Sequence, residues 1–246
     1  MNRLLKLTSA LCGFVIAFEG HAAADEAPPS LDLVMTPHAA NDGGYIDVSM
    51  TIEAPKLAAG EGLVRLPLTL VGIPSARYDG DALTASDAKG DLPLTQEEEP
   101  PTPQGVYRRW VVTRATEGDV TVTYKAPPRE VTAATNNGPL FDLRAEAGGF
   151  AGAGVGFIAT PVKEGPYSVS LKWDMSDAPE GSFGAWSLGE GDVERVAPAS
   201  ALSFSYYAAG PLKRYPPRGE DSKFGLYWLA EPPFDPAALA GRIEKL

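Results

Sequence analysis

Glycine is concentrated in one short segment, and this segment limits what the chain can form around it. Residues 148–156 contain five glycines in nine positions, in the sequence GGFAGAGVG. Glycine has no side chain to pack and loses much conformational freedom on folding, so a run of glycines weakens a strand or a helix. Such a run is tolerated where a backbone or a ligand approaches closely. Two alternatives remain open: a bulged or tightly packed strand, and a loop that faces a ligand.

The glycine run lacks the features of a nucleotide-binding loop. No Lys-Ser or Lys-Thr pair follows it, as a phosphate-binding loop requires. A dinucleotide-binding loop needs a third glycine in register and a helix that starts at once, whereas this chain continues with Phe157, Ile158 and Ala159. These residues favour a strand, so the segment does not have the sequence of a nucleotide-binding loop.

Hydrophobic and polar residues alternate in several segments of the chain. Every second residue is apolar in residues 46–52, IDVSMTI. The same period of two recurs at residues 64–70, 120–124 and 167–173, and turn sequences rich in glycine, asparagine and aspartate separate such segments. Half-buried strands joined by short turns predict an all-β fold, namely an antiparallel β-sandwich, to which a short C-terminal helix is added.

The N-terminal 24 residues have the organisation of an export signal. Arg3 and Lys6 form a basic start, residues 7–18 form an apolar core too short to span a bilayer, and Ala22 and Ala24 offer a small-residue cleavage site. We therefore expect cleavage near Ala24 and a periplasmic or secreted protein. The single cysteine lies in this segment, so we expect no disulfide in the exported chain.

The predicted organisation is a signal peptide at residues 1–24, a β-sandwich domain at residues 25–209 and a C-terminal segment at residues 210–246. This last segment contains a linker and a strand, and it ends in an amphipathic helix. Asp235 is a good helix N-cap, and Pro236 suits the first helical position. We interpret the helix as the start of a further domain that is not in this chain. The residues of the segment that we expect to dock a partner are Trp228, Leu239 and Ile243.

The chain is acidic and contains few of the residues that hydrolases use. Its formal net charge of −11 argues against nucleic acid and anionic membranes as partners. No apolar segment beyond the signal is long enough for membrane insertion. There are two histidines, His21 and His38, and no H-E-x-x-H or G-x-S-x-G sequence, and a serine triad would have to use His38 alone. We therefore predict no catalytic residue and no metal or cofactor site in this chain.

Two weaker patterns could bind a ligand. A group of acidic residues could ligate calcium, although their spacing matches no calcium loop and solvated turns explain them as well. A group of aromatic residues could form a platform for sugar or peptide, although aromatic residues at strand spacing usually belong to a core. The acidic group is Glu180, Glu190, Asp192 and Glu194, and the aromatic group is Tyr206, Tyr207, Tyr215, Tyr227 and Trp228.

The order of these segments resembles a known protein family. The strands at residues 120–124 and 167–173, the glycine segment at residues 150–161 and the loop around Trp186 are together similar to the N-terminal domain of the glycyl aminopeptidase family. This family consists of zinc metallopeptidases that often carry a PDZ domain, and in it a β-sandwich precedes a thermolysin-like catalytic domain. The resemblance covers residues 31–246 and implies a β-sandwich here.

The catalytic half of that family has no counterpart in this sequence, because the H-E-x-x-H helix and the third ligand, a glutamate, are both absent. The resemblance therefore implies a non-catalytic domain that packs on a catalytic peptidase domain in cis or in trans, and zinc would belong to that domain. It also implies a sheet edge that helps to position a peptide substrate, since an extended peptide can add to an edge. The candidates for this edge are Gly149, Phe150, Gly152, Gly154 and Gly156. The alternative is a free-standing periplasmic binding or structural module for peptide or glycan.

Overall fold

The computed structural model describes residues 27–38, 44–130, 132, 135, 140–218, 220 and 224–245. The signal peptide expected at residues 1–24 lies outside the described residues, and so does Leu246, the last residue of the predicted helix. Within the described part, no helix is long and apolar enough to cross a membrane.

Nineteen strands and two short α-helices form within the described residues. The strands of the N-terminal half are β1 (Ser30–His38), β2 (Tyr45–Ile52), β3 (Gly62–Leu70), β4 (Ile73–Pro74), β5 (Leu83–Asp87), β6 (Gly90–Asp91), β7 (Leu94–Glu98), β8 (Gly105–Val112) and β9 (Val120–Ala126). Those of the C-terminal half are β10 (Arg144–Glu146), β11 (Gly149–Ala153), β12 (Thr160–Pro161), β13 (Pro166–Trp173), β14 (Phe183–Trp186), β15 (Gly189–Glu190), β16 (Val193–Pro198), β17 (Tyr206–Gly210), β18 (Lys213–Tyr215) and β19 (Leu226–Trp228). The helices are α1 (Ser200–Ser203) and α2 (Pro236–Ile243), and 3-10 turns form at Gly80–Ala82 and Gly154–Gly156.

The strands are arranged in three sheets and one hairpin. The first sheet has seven strands in the order β16-β13-β1-β2-β9-β5-β6. The second has five strands in the order β10-β11-β17-β14-β15, and we name it the small-residue sheet. The third has the order β12-β3-β8-β7, with β4 paired to β3. We call the first and third sheets together the body, and β18 and β19 the C-terminal hairpin.

Strand β2 shows how the sequence pattern builds the body. Its apolar residues are at most 2% exposed, whereas the polar residues between them are half-buried. It lies between β1 and β9, and both pairings are antiparallel. The predicted alternation is therefore confirmed, because one face of the strand packs in the core and the other contacts water. The same core includes Leu66 and Trp110 of the third sheet and Tyr207 of the small-residue sheet, so all three sheets share it.

The predicted all-β sandwich is confirmed, with one departure from the antiparallel pattern. Strands β1 and β13 run parallel, with Ser30 opposite Ser168 and Met35 opposite Trp173. A parallel pair needs a long crossover connection rather than a tight turn. The segments that build most of the other sheets lie between these two strands in the sequence. The alternation of residues alone does not distinguish the two directions.

The third sheet contains an irregularity where the sequence predicts one. Pro67 lies in β3 and has no N–H group to donate to a ladder, so it favours an edge or a bulge. The register between β3 and β8 shifts between Pro67 and Thr69. The bulge is therefore confirmed, and the short strands β12 and β4 pair with β3 on either side of this proline.

The C-terminal helix begins as the sequence predicts. The side chain of Asp235 accepts a hydrogen bond from the backbone N–H of Ala237 at 2.9 Å, and Pro236 is the first helical residue. The helix packs against β18. Ala240 is its one buried residue.

Candidate functional site

The glycine strand β11 lies inside the small-residue sheet rather than at its edge. Gly149 is opposite Glu146 of β10 on one side, and its neighbour Phe150 is opposite Ala209 of β17 on the other. A strand that has partners on both sides cannot add an extended peptide to its backbone. The expectation that this segment forms a free sheet edge is therefore wrong, and β10 has the edge position instead.

Close backbone contacts explain the glycines of this segment. A Cβ atom at Gly154 would overlap the carbonyl oxygen of Leu202, and one at Gly156 would overlap the carbonyl oxygen of Phe141. At Gly152 it would lie 2.7 Å from the Cα atom of Leu143. Phe150 is 1% exposed and packs in the core. Close backbone packing, the first alternative, therefore explains these three glycines, but of the three only Gly152 lies in strand β11, whereas Gly154 and Gly156 lie in the 3-10 turn that follows it.

The outer face of the small-residue sheet has a floor of alanine side chains. Ala151 of β11, Ala208 of β17 and Ala185 of β14 are directly opposite one another across three neighbouring strands. Their sequence neighbours Phe150 and Tyr207 pack in the core, as alternation along a strand requires. A methyl group extends less from a sheet than any larger side chain, so this row of three alanines leaves room above the sheet.

A groove of about 800 Å³ lies between this floor and the C-terminal segment of the chain. Its floor is formed by the three alanines, and the wall next to the sheet is formed by Tyr206, Ser187 and Leu188. The opposite wall comes from residues 224–233, which include β19 and continue to the two prolines before α2. The aromatic residues of this wall are Phe224, Tyr227 and Trp228.

An ion-pair cluster holds the C-terminal hairpin beside the sheet. Glu190 of β15 contacts the Nε atom of Arg214 at 3.2 Å and that of Arg218 at 2.9 Å. The Arg218 contact is a hydrogen bond, whereas the Arg214 contact is an ion pair without aligned geometry. The guanidinium group of Arg218 also lies 4.5 Å from the centre of the Phe183 ring in β14. Both arginines therefore link the hairpin region to one end of the sheet.

The polar groups around the groove are neutral or acidic. Burial raises the pKa of the Tyr206 and Tyr227 hydroxyl groups above the ordinary value, and nearby Glu190 raises that of Tyr227 further. Both hydroxyls therefore stay protonated at neutral pH. The charged side chains that line the groove in the described part are Glu146 and Glu231.

The predicted docking residues occupy two different places. Trp228 lines the groove. Leu239 and Ile243 belong to α2, which is not part of the groove; Leu239 is half-buried and Ile243 is 38% exposed. Just before the helix, Phe234 is 53% exposed. The two helical residues and Phe234 give this end of the molecule an apolar surface, which we name the α2 face.

The described residues do not provide the ligands of a zinc centre. No three residues among the histidines, cysteines, aspartates and glutamates of the described part are grouped so that they could hold a metal ion. His38 contacts Asp47 at 2.8 Å through Nε2 and Asp177 at 3.0 Å through Nδ1, and it stacks on Tyr45. Among the acidic residues considered for calcium, Glu190 binds arginines, and Asp192 accepts a hydrogen bond from the backbone of Trp173.

Comparison with known proteins identifies a shared fold. No protein-family model and no curated protein matches this sequence. The structure of an aminopeptidase N family protein from Idiomarina loihiensis matches with a TM-score of 0.51 at 16% identity, over 77% of this chain and 31% of that chain. Leukotriene A4 hydrolase from Saccharomyces cerevisiae matches with a TM-score of 0.38 at 14% identity, over 77% and 30% of the two chains. An M1 zinc metallopeptidase from Deinococcus radiodurans matches with a TM-score of 0.39 at 15% identity, over 76% and 42%.

The first of these matches is the informative one. It covers most of this chain, and the chain spans about a third of the length of the aminopeptidase N family protein. At such low identity, the match shows a common fold and nothing about shared residues. The fold implied by the resemblance to the glycyl aminopeptidase family is thus confirmed, and a solved structure that shares it is that of an aminopeptidase N family protein.

Proposed function

We propose that this chain is an exported, non-catalytic β domain that packs on the catalytic domain of a zinc aminopeptidase. The observation that carries the proposal is the fold shared with an aminopeptidase N family protein over 77% of this chain. The expected export signal at residues 1–24 supports a periplasmic or secreted location for the pair.

The α2 face is the surface that we assign to this docking. Phe234 is 53% exposed and Ile243 is 38% exposed. The helix buries only Ala240 against the rest of the molecule. Burial of apolar surface on a partner is favourable by roughly 25 cal/mol per Å². The α2 face has three apolar side chains within residues 234–243, so it is a better candidate for a protein interface than the singly exposed apolar residues of the body.

The chemistry of the reaction would belong to the partner domain. The sequence contains no H-E-x-x-H motif: its two histidines, His21 and His38, are 17 positions apart and cannot form the pair of ligands on one helix turn, with the general base between them, that such a zinc site uses. The partner would therefore provide the zinc ligands and the catalytic groups, whether it is encoded in the same chain or in another one. Our proposal assigns no hydrolysis to the β domain by itself.

Fractionation of a native periplasmic or secreted extract tests the proposal. An antibody against this chain locates it after size-exclusion chromatography, and each fraction is assayed with aminoacyl-coumarin substrates, with and without 1,10-phenanthroline. We expect the chain to co-elute with a phenanthroline-sensitive aminopeptidase, while the purified chain alone shows no activity. Elution of the chain apart from every aminopeptidase would overturn the proposal.

Matched variants identify the surface involved. Ile243→Asp places a charge on the α2 face, and Val196→Asp places the same charge on β16, where the valine is 67% exposed. We expect Ile243→Asp to weaken the affinity for a separate partner at least about tenfold, which abolishes co-elution. If the partner domain is in the same chain, we expect the variant to lower its melting temperature. Val196→Asp should leave both quantities unchanged. Equal effects of the two variants would remove the α2 face from the proposal.

A further inference from the structure

We propose that the groove on the small-residue sheet binds an extended polypeptide segment that has one apolar anchor side chain and neutral or basic neighbours. This inference does not depend on the docking role of the α2 face, because α2 contributes no residue to the groove. It assigns a second binding surface to the chain, on a different part of the molecule.

The chain itself shows how a polypeptide lies on this face. Residues 224–233 run along the outer face of the small-residue sheet. A Cβ atom at Gly149 would be 2.5 Å from a methyl carbon of Leu229, so the missing side chain makes room for this leucine. One end of the sheet therefore already holds an apolar side chain of the C-terminal segment, and the absence of a side chain at Gly149 makes this possible.

The adjacent row of the floor consists of small residues and remains open. Ala151, Ala208 and Ala185 form the next row of small residues, two positions along each strand from the row of Gly149. This row lines the groove of about 800 Å³. Pockets of roughly 300–1,000 Å³ are typical of specific ligand sites. The space is sufficient for a few residues of an extended chain, with one apolar side chain on the alanine floor.

The charged residues of the groove indicate which peptide residues should flank the apolar anchor side chain. Glu146 lies on the edge strand β10, is exposed, and has no ion-pair partner among the described residues. Glu231 lies on the opposite wall and pairs with Lys213 at 2.5 Å. Within the described part, no lysine or arginine lines the groove. An acidic peptide would be repelled, whereas a lysine or arginine beside the anchor could pair with Glu146.

A hydrogen-bonding group of the groove suits a peptide backbone. The indole Nε1 atom of Trp228 is buried and has no hydrogen-bond partner in the described part. Trp228 lines the groove, and an indole N–H can only donate, whereas the ring of Trp186 stacks on Tyr207 in the core. Peptide carbonyl groups are acceptors of the required kind. A buried donor without a partner costs about 1–3 kcal/mol, so a ligand that supplies the acceptor gains by doing so.

A sugar platform is less consistent with the aromatic residues. A platform needs several open ring faces, but among the aromatic residues of the groove only Tyr206, at 43%, ranks as exposed within the described part. The ring of Tyr227 packs edge-on against Phe183, with the ring centres 6.2 Å apart, and Arg214 also contacts it. We therefore assign the groove to a peptide, and binding of a glycan is an outcome of the test.

Selection from a phage-displayed library of random heptapeptides tests the proposal on the full exported chain. Selected peptides are synthesised with a fluorescent label, and their dissociation constants are measured by fluorescence anisotropy. We expect the selected sequences to share one large apolar residue with lysine or arginine close to it. Maltotriose and chitotriose are added in parallel while tryptophan fluorescence is recorded, and neither should bind.

Variants of the floor and rim decide whether binding occurs in the groove. Ala208→Leu fills the floor and should weaken binding at least about tenfold, while Ala237→Leu makes the same change on the exposed side of α2 and should have no effect. Glu146→Gln should weaken binding about threefold and reduce its salt dependence. Tyr206→Ser provides a second groove variant if Ala208→Leu lowers the melting temperature.

Three results would overturn the inference. One is a selection that yields no common sequence. Another is a set of peptides whose affinity is unchanged by Ala208→Leu, Tyr206→Ser and Glu146→Gln. The last is binding of maltotriose or chitotriose that these groove variants weaken, because the groove would then be a glycan site.

Discussion

The body and the small-residue sheet both exclude water, but they do so with residues of very different size. In the body, large side chains such as Leu33, Met50 and Trp110 are 0% exposed and fill the space between sheets. In the small-residue sheet, glycine and alanine let other segments of backbone approach directly, as Leu143 does at Gly152. The first arrangement excludes water with side-chain volume, and the second does so by bringing main chains close together.

The large side chains of the body stabilise the fold, whereas the small residues of the small-residue sheet leave space for a bound peptide. A face filled by large side chains leaves little room for another molecule. A face of methyl groups leaves room, and here the C-terminal segment covers one part of it while the groove occupies another. The comparison predicts large, global effects for changes in the body and smaller, local effects for changes at the groove wall.

The largest effect is expected in the core of the body. Leu33→Ala removes a side chain that is 0% exposed and leaves a cavity, so the free energy of unfolding should fall by about 2–5 kcal/mol. Val34→Ala, at the next position of β1, changes a side chain that is 36% exposed and should cost about 1 kcal/mol or less. Urea denaturation followed by circular dichroism measures both. Similar losses from the two variants would contradict the assigned faces of β1.

The next effect concerns the close backbone contacts of the glycine segment. Gly156→Ala adds a methyl group that overlaps the carbonyl oxygen of Phe141, so we expect a loss of about 2–3 kcal/mol. Gly241 lies on α2, and a Cβ atom added there would meet no described residue within 4 Å beyond its chain neighbours and the helix backbone. Gly241→Ala should therefore stabilise the helix by about 0.5–1 kcal/mol. The same urea titration gives both values. A neutral Gly156→Ala would mean that the contact does not require glycine.

A smaller and local effect is expected at the ion pairs of Glu190. Glu190→Gln weakens the contacts to Arg214 and Arg218, which should cost about 1 kcal/mol in the docking of the C-terminal hairpin. Hydrogen exchange should become faster in residues 212–218 and 224–233, while β2 keeps its protection. Glu194→Gln, an exposed change on β16, is the matched control. Uniform acceleration across the chain would show that the hairpin region unfolds together with the body.

The weakest effect is a pH dependence of the body. Hydrogen bonds from Arg114, at 2.6 and 2.9 Å, lower the pKa of Asp87 below its ordinary value, and backbone N–H groups lower it further. A lowered folded-state pKa stabilises the fold above the unfolded value near pH 4, and this contribution is lost as the pH falls below that value. The melting temperature of Asp87→Asn should therefore fall less between pH 5 and pH 3 than that of the unchanged protein. Parallel curves would contradict the role of Asp87.

The sequence predicts the body better than the groove, and the reason is physical. In β2, the period of two reports directly which residues face the core. The C-terminal helix is equally predictable, since Asp235 and Pro236 have local roles at its start. The parallel pairing of β1 with β13 depends on distant segments, and nothing in either strand indicates it.

The groove could not be predicted because it depends on register. Ala151, Ala185 and Ala208 form one row only after three strands are aligned. The glycine segment was a visible signal of close approach, but its sequence does not show whether backbone or ligand approaches. The group of aromatic residues suggests a platform, but the structure places its members in different parts of the molecule. Tyr207 is buried in the core, while Tyr206, Tyr227 and Trp228 line the groove.

Cross-linking of the native assembly is the most direct test of the central claim, that this β domain joins an aminopeptidase through its C-terminal end. Lys213 and Lys245 lie on β18 and just beyond α2, whereas Lys89 lies on the turn between β5 and β6 of the body. After treatment of the active fractions with an amine-reactive cross-linker, mass spectrometry should find links from Lys213 and Lys245 to a zinc aminopeptidase domain. Links to a peptidase from Lys89 alone, or to no peptidase at all, would contradict this account.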